Sequence, residues 1–397
     1  MKSFASVFNQ FLSLVPRSVF RACVDKFQGD YRTRVFNCWS QFGVMLYAQL
    51  TGKTSLRDIV IGFSNKTNYF YHLGLRNVAR STVADANKNR DWQIYERLFA
   101  EVLLRCRDLS PKHKFRFKNS LESLDATTVD LCLESFPWAQ FRQAKGAIKI
   151  HTKLDHSGQI PSFVNTSDGK THEIRVARAL RFEPNSILVV ARAYLDYKWL
   201  HPIHQNRAFW VTRLKRNMIF TTVRNPEHLL PKLSQHARKS GVLKDQIIRL
   251  VGNKASDLPI ELRLVVYRDP ETGTTYEFLT NILHLSALTI AKLYKSRWNI
   301  ETFFKWIKQN LKIKTFIGTT ENAVRTQIWI AMITFLLLSY LKYKTGCQFT
   351  LLQIQRYVRE NVFARVSLNS ILLSDSRERM LGHCSQPAAH NQVCLQL

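Results

Sequence analysis

Three short runs decide the fold: SLDATTVDLCL at 123–133, GAIKIHTKLDH at 146–156 and IPSFVNTSD at 160–168. They are rich in β-branched and alternating apolar residues, which predicts strands. Gly158 and Gly169 mark turns after the second and third runs. Three successive strands joined by short turns predict an antiparallel meander.

The segment that follows the meander predicts a change of direction in the sheet. A helical pattern over about 172–180 leads into the apolar run Ile187–Val190. A strand, helix and strand in this order form a crossover, which adds a parallel strand. We therefore predict an α/β fold with a mixed sheet flanked by helices. Further strand-like runs between about 207 and 283 predict a β-rich insertion, and helices resume at Ser286.

The rest of the chain divides by pattern. Residues 1–110 carry helical periodicity and predict an all-α domain, and the basic stretch 111–120 (PKHKFRFKNS) predicts a linker. The core is then expected over 121–345, and a helical extension with a polar tail over 346–397. The apolar run 328–341 is shorter than about 18 residues, so a buried core helix is expected rather than a membrane span.

Composition points to a polyanionic partner. The chain has 397 residues, with 58 Lys and Arg against 29 Asp and Glu, giving a net charge of +29. Nucleic acid is the expected partner, because the basic residues are spread through folded-looking sequence and are not gathered beside a membrane segment. The seven cysteines are odd in number and scattered. They are typical of reduced thiols, so a cytoplasmic protein is expected.

One helical segment carries the most specific pattern, SALTIAKLYKSRWNIETFFKWIKQNLKI at 286–313. On a continuous helix Tyr294, Arg297, Glu301 and Lys308 fall within a sector of roughly 60°. Such a stripe is a plausible metal and phosphate surface in a basic segment. The alternative is a solvated basic face, in which Glu301 simply pairs with Arg297 or Lys305 four residues away.

The spacing of these four residues resembles a known signature. Tyrosine, arginine, glutamate and lysine separated by two, three and six residues are similar to the motif of bacterial transposases of the insertion-sequence-four family, and all four positions match. The segments 34–60 and 71–95 resemble the N-terminal domain of one branch of that family, and 318–332 resembles the segment after the glutamate. The resemblance implies a ribonuclease-H-like catalytic core and an N-terminal domain that binds DNA ends.

The family resemblance also implies metal-binding carboxylates. Asp125 matches the first aspartate and Glu301 the glutamate, which would hold two Mg²⁺ ions, with Mn²⁺ as a substitute. The alternative for Asp125 is an ordinary strand-end aspartate. An aspartate among apolar strand residues is costly to bury unless it binds a cation or pairs. Asp130 is the fallback, although a solvated strand residue is the simpler interpretation.

The second aspartate of the signature is missing. Where the family has an Asp-Arg-Gly-Tyr-like turn after an apolar strand, this chain reads Ala191, Arg192, Ala193, Tyr194. Alanine has no side-chain oxygen and cannot bind a metal. Asp196 is the nearby substitute, but it lies five residues further on. Arg192 and Tyr194 are expected to contact phosphate.

Other candidates have a structural alternative. His151, His156 and His172 lack a metal-ligand spacing and are expected to be structural. Trp199 and Trp210 could stack on a DNA base, with core packing as the alternative.

Three functions remain open from the sequence. The first is a transposase that cuts double-stranded DNA at the ends of its element and joins them to target DNA, acting as a homodimer because two ends must be brought together. The second is a catalytically silent copy that still binds DNA, which Ala191 favours. The third is a basic structural nucleic-acid-binding protein, which the net charge would suit.

Overall fold

The protein divides into two compact units in a computed structural model. The structure describes residues 5–64, 73–75, 78–142, 145–224, 240–252 and 255–373. The helical unit contains the described residues of 1–110, 310–318 and 322–397. The sheet unit contains those of 111–309 and 319–321.

Helices of both units follow one another along the chain as α1 (Val7–Leu12), α2 (Arg17–Lys26), α3 (Cys38–Thr51), α4 (Leu56–Ser64), α5 (Arg80–Asn89), α6 (Gln93–Arg107), α7 (Glu173–Ala177), α8 (Tyr197–Gln205), α9 (Ala287–Ser296), α10 (Trp298–Asn310), α11 (Glu321–Thr345) and α12 (Leu351–Glu360). Sequence signals set several of their ends. Asn37 caps α3 by accepting a hydrogen bond from the Ser40 amide at 2.9 Å, and Gly52 ends it with a φ of 72°, a conformation that glycine adopts without strain.

Helix α11 lies in the interior of the helical unit. It is long and apolar enough to cross a membrane by length and composition, but 89% of its most apolar 18-residue window is buried within the protein. Trp329 stacks on Trp92, with ring centroids 6.4 Å apart, and packs against Phe99 of α6. Residues 322–345, which the sequence pattern assigned to the catalytic core, thus group with the N-terminal helices, because those helices supply the aromatic surface that buries them.

The two ends of the described chain meet in the helical unit. The amides of Val7 and Phe8 donate to the carbonyl oxygens of Ala364 and Val362, both at 2.9 Å. Gln10 accepts a further hydrogen bond from the amide of Leu368. The helical unit is therefore assembled from both ends of the sequence.

The sheet unit is built on one sheet, which has ten strands among the described residues. They are β1 (Leu121–Leu131), β2 (Gln140–Arg142), β3 (Lys145–Asp155), β4 (Ile160–Asp168), β5 (Ile187–Val190), β6 (Phe209–Arg213), β7 (Phe220–Arg224), β8 (Val242–Leu250), β9 (Leu262–Arg268) and β10 (Thr275–Thr280). Their order is β2-β3-β1-β5-β6-β10-β9-β8-β7, with β4 also paired to β3. Strands β1, β3 and β4 form the antiparallel meander, and β5 adds in parallel to β1. The predicted α/β fold, a mixed sheet flanked by helices and accompanied by an all-α N-terminal region, is confirmed.

The register between β1 and β5 positions the candidate site. The parallel ladder runs from Leu121 opposite Ile187 to Leu124 opposite Val190. The next residue on β1 is Asp125. The next residue on the other chain segment is position 191, immediately after β5 ends.

The predicted insertion continues the same sheet. Phe209–Arg213, which the sequence pattern counted with the insertion, pairs in parallel with β5 and so belongs to the core, and β7 to β10 extend the sheet beyond it. A fully buried ion pair fixes the extension: the Arg263 guanidinium donates to both oxygens of Asp245 at 2.7 and 2.6 Å. Arg263 also donates to the carbonyl oxygen of Leu285, in the segment that leads to α9.

Candidate active site

The motif segment forms two helices rather than one. Ser286 caps α9 by accepting from the Thr289 amide at 3.2 Å, as the sequence predicts. The expectation of one uninterrupted helix is wrong, because α9 ends at Ser296 and α10 begins at Trp298. Arg297, between them, keeps a helical backbone, and its amide bonds to the Tyr294 carbonyl three residues back. A hydrogen bond over three residues is of the 3₁₀ type. It interrupts the α-helical hydrogen-bond pattern while the chain continues in the same direction.

Arg297 joins two carboxylates from distant parts of the sequence. Its Nη1 lies 3.1 Å from Oδ2 of Asp125, 172 residues away, and its Nη2 donates to Oε1 of Glu301. The side chains of Arg297 and Asp125 are only 15% and 18% exposed, and that of Glu301 is 33% exposed. The two sequence-predicted carboxylates thus converge on a single cationic group.

The environment of Asp125 favours a bound cation. Burial raises the pKa of its carboxyl to about 6, opposed by the Ala126 amide and by Arg297. The negative charges of Glu173 and Glu301 act in the same direction as burial. A carboxylate held in such surroundings is stabilised by positive charge placed against it.

The remaining motif residues lie around this pair. Tyr294 is half-buried, and the guanidinium of Arg297 lies 5.8 Å from its ring centroid. Burial raises the pKa of the Tyr294 phenol, whereas the positive charges of Arg297, Arg213 and Arg192 lower it. Lys308 donates to the carbonyl oxygen of Thr128 on β1 at 2.8 Å. Basic groups therefore gather beside the carboxylates, a setting suited to phosphate.

Position 191 lacks a ligand and Asp196 is engaged elsewhere. Ala191 directly precedes the turn Arg192–Tyr194 and has only a methyl side chain. One oxygen of Asp196 accepts from the Trp199 amide at 2.9 Å and caps α8, and the other pairs with Arg178 at 2.8 Å. Both oxygens of Asp196, the nearby substitute for the missing aspartate, thus already have hydrogen-bond partners.

Tyr194 is buried beside the same charges. Its side chain is 1% exposed, and its hydroxyl has no hydrogen-bond partner among the described residues. Burial raises the pKa of this phenol, as do the negative charges of Glu173 and Asp125. Arg192, two residues earlier, is exposed. A phosphate contact was expected from both, but Tyr194 does not reach the surface.

The other sequence candidates occupy structural positions. Trp199 and Trp210 are 5% and 0% exposed and belong to the core, so neither presents a face to DNA in this structure. The exposed aromatic residue near the carboxylates is Trp298, with 65% exposure, and no sequence pattern singled it out. Its place directly after Arg297 in the motif is the signal that could have drawn attention to it.

The histidines and Asp130 likewise have structural settings. The ring nitrogens of His151 and His156 lie 2.8 and 2.7 Å from the hydroxyls of Ser167 and Ser123. His172 caps the short helix α7. Asp130 is an exposed strand residue.

The carboxylates match a divalent cation in part. Asp125 and Glu301 supply the oxygen ligands that Mg²⁺ prefers, and both already face one positive group. Ala191 supplies no ligand atom. Within the described parts of the chain, no group of three or more His, Cys, Asp or Glu side chains lies close enough together to hold a metal ion. The two carboxylates therefore fit a divalent cation, but they do not complete a two-ion site.

Comparisons with known proteins identify relatives of this chain. Residues 118–337 match the family model of the transposase DDE domain, and residues 3–76 match a domain of unknown function, DUF4372. A protein of Geobacillus stearothermophilus named "Probable transposase for insertion sequence element IS5377" is 30% identical over 69% of this chain and 70% of its own length. A protein of Sinorhizobium fredii, named as the transposase y4zB, is 32% identical over 64% of this chain and 69% of its own.

A likeness to a solved structure is weaker. The cryo-EM structure of the piggyBac transposase synaptic complex with hairpin DNA has a TM-score of 0.43 and 11% identity, covering 94% of this chain and 79% of that one. That likeness does not bear on function. The match of more than half the chain to the DDE domain and the 30% identity to an insertion-sequence transposase do, and the chain therefore belongs to the DDE transposases of insertion sequences, of the insertion-sequence-four type.

Proposed function

We propose that this protein is a transposase whose active site is built to cut double-stranded DNA at the ends of its own insertion sequence and to transfer those ends into target DNA, with little activity in this copy because position 191 is alanine. The observation that carries the proposal is the convergence of Asp125 and Glu301 on Arg297. Carboxylates from β1 and α10 meet there, and the positive charges of Arg213 and Arg192 act on the neighbouring Tyr294. Transposases of the DDE family use divalent metal ions, and such ions stabilise the charge that develops when a phosphodiester bond is attacked.

Different residues of the chain would bind the metal and the DNA. Asp125 and Glu301 would hold Mg²⁺, or Mn²⁺ in its place. Arg192 and Arg213, near Tyr294, would hold backbone phosphates, and Lys308 braces α10 against β1. Arg297 would neutralise the carboxylates until the metal enters. Tyr194 would act through its buried hydroxyl and not by direct contact with a DNA phosphate.

The N-terminal domain, the linker and a second copy of the chain would each have a role in transposition. The N-terminal domain, 1–110, would bind the element ends, joined by the basic linker 111–120 to the catalytic core. Joining two ends calls for a homodimer in a paired-end complex. The DNA substrate places the protein with the bacterial chromosome in the cytoplasm.

A second candidate function is favoured by one observation. Position 191, one residue past the ladder that ends beside Asp125, is alanine. A copy without this carboxylate would still fold and bind DNA but would cut it poorly, because two carboxylates balance and bridge two divalent ions badly.

Restoring the carboxylate tests whether position 191 alone limits cleavage. We expect the chain as it stands to nick a duplex carrying its cognate ends slowly or not at all with Mg²⁺ or Mn²⁺, and Ala191→Asp to raise the nicking rate by several orders of magnitude. Single-turnover nicking on labelled duplexes measures this. Glu301→Gln in the Ala191→Asp background should remove the gain while leaving DNA binding in place.

Asp196→Asn is the matched control, because it removes a nearby carboxylate that caps α8. Robust nicking by the original chain that Asp196→Asn abolishes would make Asp196 the ligand. If Ala191→Asp folds and binds DNA but stays inert, the copy has lost its activity for a reason beyond position 191.

A further inference from the structure

A loop of the helical unit presents cationic and aromatic side chains to solvent. The Tyr31 loop (residues 28–36) lies between α2 and α3. Tyr31 is 68% exposed, and Arg32 and Arg34, close to it in the sequence, are exposed as well. The guanidinium of Arg32 lies 5.1 Å from the centroid of the Tyr31 ring. Arginine and tyrosine side chains are common contacts of nucleic-acid backbones, so the loop has the composition of such a surface.

Contacts with the rest of the helical unit fix this loop at both ends. A Cβ atom on Gly29 would lie only 2.8 Å from Sγ of Cys38, so the backbone of the loop packs directly against α3. Oδ1 of Asp30 accepts a hydrogen bond from the amide of Cys38 at 2.6 Å. At the other end Phe36 is buried, and its carbonyl oxygen accepts a hydrogen bond from Arg90. A loop that is already ordered loses little conformational entropy when it binds a partner.

The backbone of the Tyr31 loop is strained at two residues that are not glycine. Gln28 has a φ of 49° and Arg32 a φ of 55°. This left-handed conformation is unfavourable for residues with a Cβ atom, and residues held in it are concentrated at functional sites. Glycine at position 32 would remove the strain. The arginine there is therefore better explained by what its side chain binds than by the fold of the loop.

The two arginines of the loop are not neutralised by neighbouring acids. Among the described residues Arg32 and Arg34 form no ion pair, whereas Arg21 on α2 pairs with Asp25 at 3.7 Å. Guanidinium groups bind phosphate through paired hydrogen bonds, and the charge on both partners strengthens those bonds. Two uncompensated guanidinium groups beside an exposed tyrosine are thus suited to a polyphosphate partner.

We propose that the Tyr31 loop binds the sugar-phosphate backbone of duplex DNA. Arg32 and Arg34 pair with phosphates, and the hydroxyl of Tyr31 donates a hydrogen bond to a phosphate oxygen. This rests on the proposed function in assigning DNA binding to the N-terminal domain, and it names the segment that makes the contact. Phosphate contacts carry no sequence information. The loop therefore adds affinity and orients the domain on the duplex, but it does not select the end sequence.

The salt dependence of binding by the full-length chain tests the two arginines. Fluorescence anisotropy is measured between about 50 and 200 mM KCl with a labelled duplex carrying the cognate end and with an unrelated duplex of equal length. Each phosphate contact contributes about −0.9 to the slope of log affinity against log salt, so Arg32→Gln combined with Arg34→Gln should make the slope shallower by about 2 on both duplexes. Arg107→Gln combined with Arg356→Gln is the matched control. It removes the same charge from exposed positions of the same unit and should leave the slope nearly unchanged.

Two single variants separate a DNA contact from a structural role. Glycine adopts the left-handed conformation without strain, so Arg32→Gly should keep or raise the midpoint of thermal unfolding while DNA affinity falls as it does in Arg32→Gln. A lowered midpoint with unchanged affinity would make Arg32 a structural residue and overturn its contact with DNA. Tyr31→Phe, which removes only the hydroxyl, should weaken binding without changing the salt slope, because a neutral donor releases no counterion.

The outcomes distinguish this proposal from the proposed function. Equal reductions of the slope in the loop variant and the control would mean that the general charge of the protein, and not this loop, binds DNA. A loop variant that binds DNA normally but loses self-association in sedimentation would assign the loop to a contact between copies of the chain. Either result overturns the loop contact, while nicking of cognate ends by Ala191→Asp would leave the proposed function in place. An original chain without salt-dependent DNA binding overturns both.

Discussion

Trp298 carries an exposed indole and is the sequence neighbour of Arg297, which contacts both candidate carboxylates. It is 65% exposed and immediately follows Arg297 in the chain. Exposed aromatic rings near a nucleic-acid site stack on unpaired bases, at about 1–3 kcal/mol per base. We therefore expect Trp298→Ala to weaken binding to ends that carry an unpaired base by about 5- to 150-fold, with little effect on blunt duplex. Fluorescence anisotropy with the two DNA forms measures the difference. Equal losses on both forms would point to a general contact instead.

His156 should make stability depend on pH. Burial, with a smaller effect of His113, lowers the pKa of His156 from about 6.5 to about 4, so the folded state binds the proton less tightly than the unfolded state. Stability is then lost as pH falls from about 6.5 toward about 4, by up to about 3 kcal/mol. Burial raises the pKa of Asp125 to about 6, which acts in the opposite sense over an overlapping range.

The comparison with His156→Gln isolates the contribution of His156. Urea unfolding at pH 7 and pH 4.5 should show a smaller fall in the free energy of unfolding for this variant than for the original chain. An identical fall in both would mean that His156 is not the group responsible.

At single positions, the sequence predicted which residues lie together. The family resemblance pointed to Asp125, Arg297 and Glu301, and the structure brings these three together. The sequence did not show that Tyr194, expected to contact phosphate, is buried in the core. Nor could it rank Trp298 above Trp199 and Trp210, since exposure depends on tertiary packing that a sequence does not display.

The strands of the extension depend on one buried ion pair. Asp245 of β8 and Arg263 of β9 are both 0% exposed and joined by two hydrogen bonds. Removing one charge leaves the other buried without an opposite charge beside it, which costs about 3–5 kcal/mol. We expect Asp245→Asn to lower the free energy of unfolding of the sheet unit by about this amount, measured by urea denaturation. Lys244→Gln, an exposed change on the same strand, is the control; a similarly small effect from both would contradict the assigned role.

Element types were more predictable than element partners. The meander and the parallel strand β5 followed from short alternating runs and from the handedness of crossovers. Strand β6 was counted with the insertion, because β propensity identifies a strand but not the neighbour it pairs with. The break at Arg297 was also missed, because periodicity continues through a single 3₁₀-type bond.

The charge of the whole chain predicts how it meets DNA. With a net charge of +29, binding should release condensed counterions, and the logarithm of the association constant should fall with the logarithm of salt concentration at about −0.9 per phosphate neutralised. Anisotropy on an unrelated duplex between about 50 and 200 mM KCl measures the slope. A single-stranded probe of equal length should give a shallower slope. An affinity independent of salt would rule out electrostatic DNA binding.

The way the helical unit closes has a consequence for protein synthesis. Its first helices leave the ribosome early, but the backbone hydrogen bonds from Val7 and Phe8 must wait for residues 362 and 364, after the entire sheet unit has been made. At about 5–20 residues per second that delay is on the order of tens of seconds. The sheet unit is therefore complete before the C-terminal part of the helical unit has been synthesised. A chain truncated before α11 would therefore contain the N-terminal helices without the buried helix that they pack against. Such a shortened product would not act as a free-standing N-terminal domain.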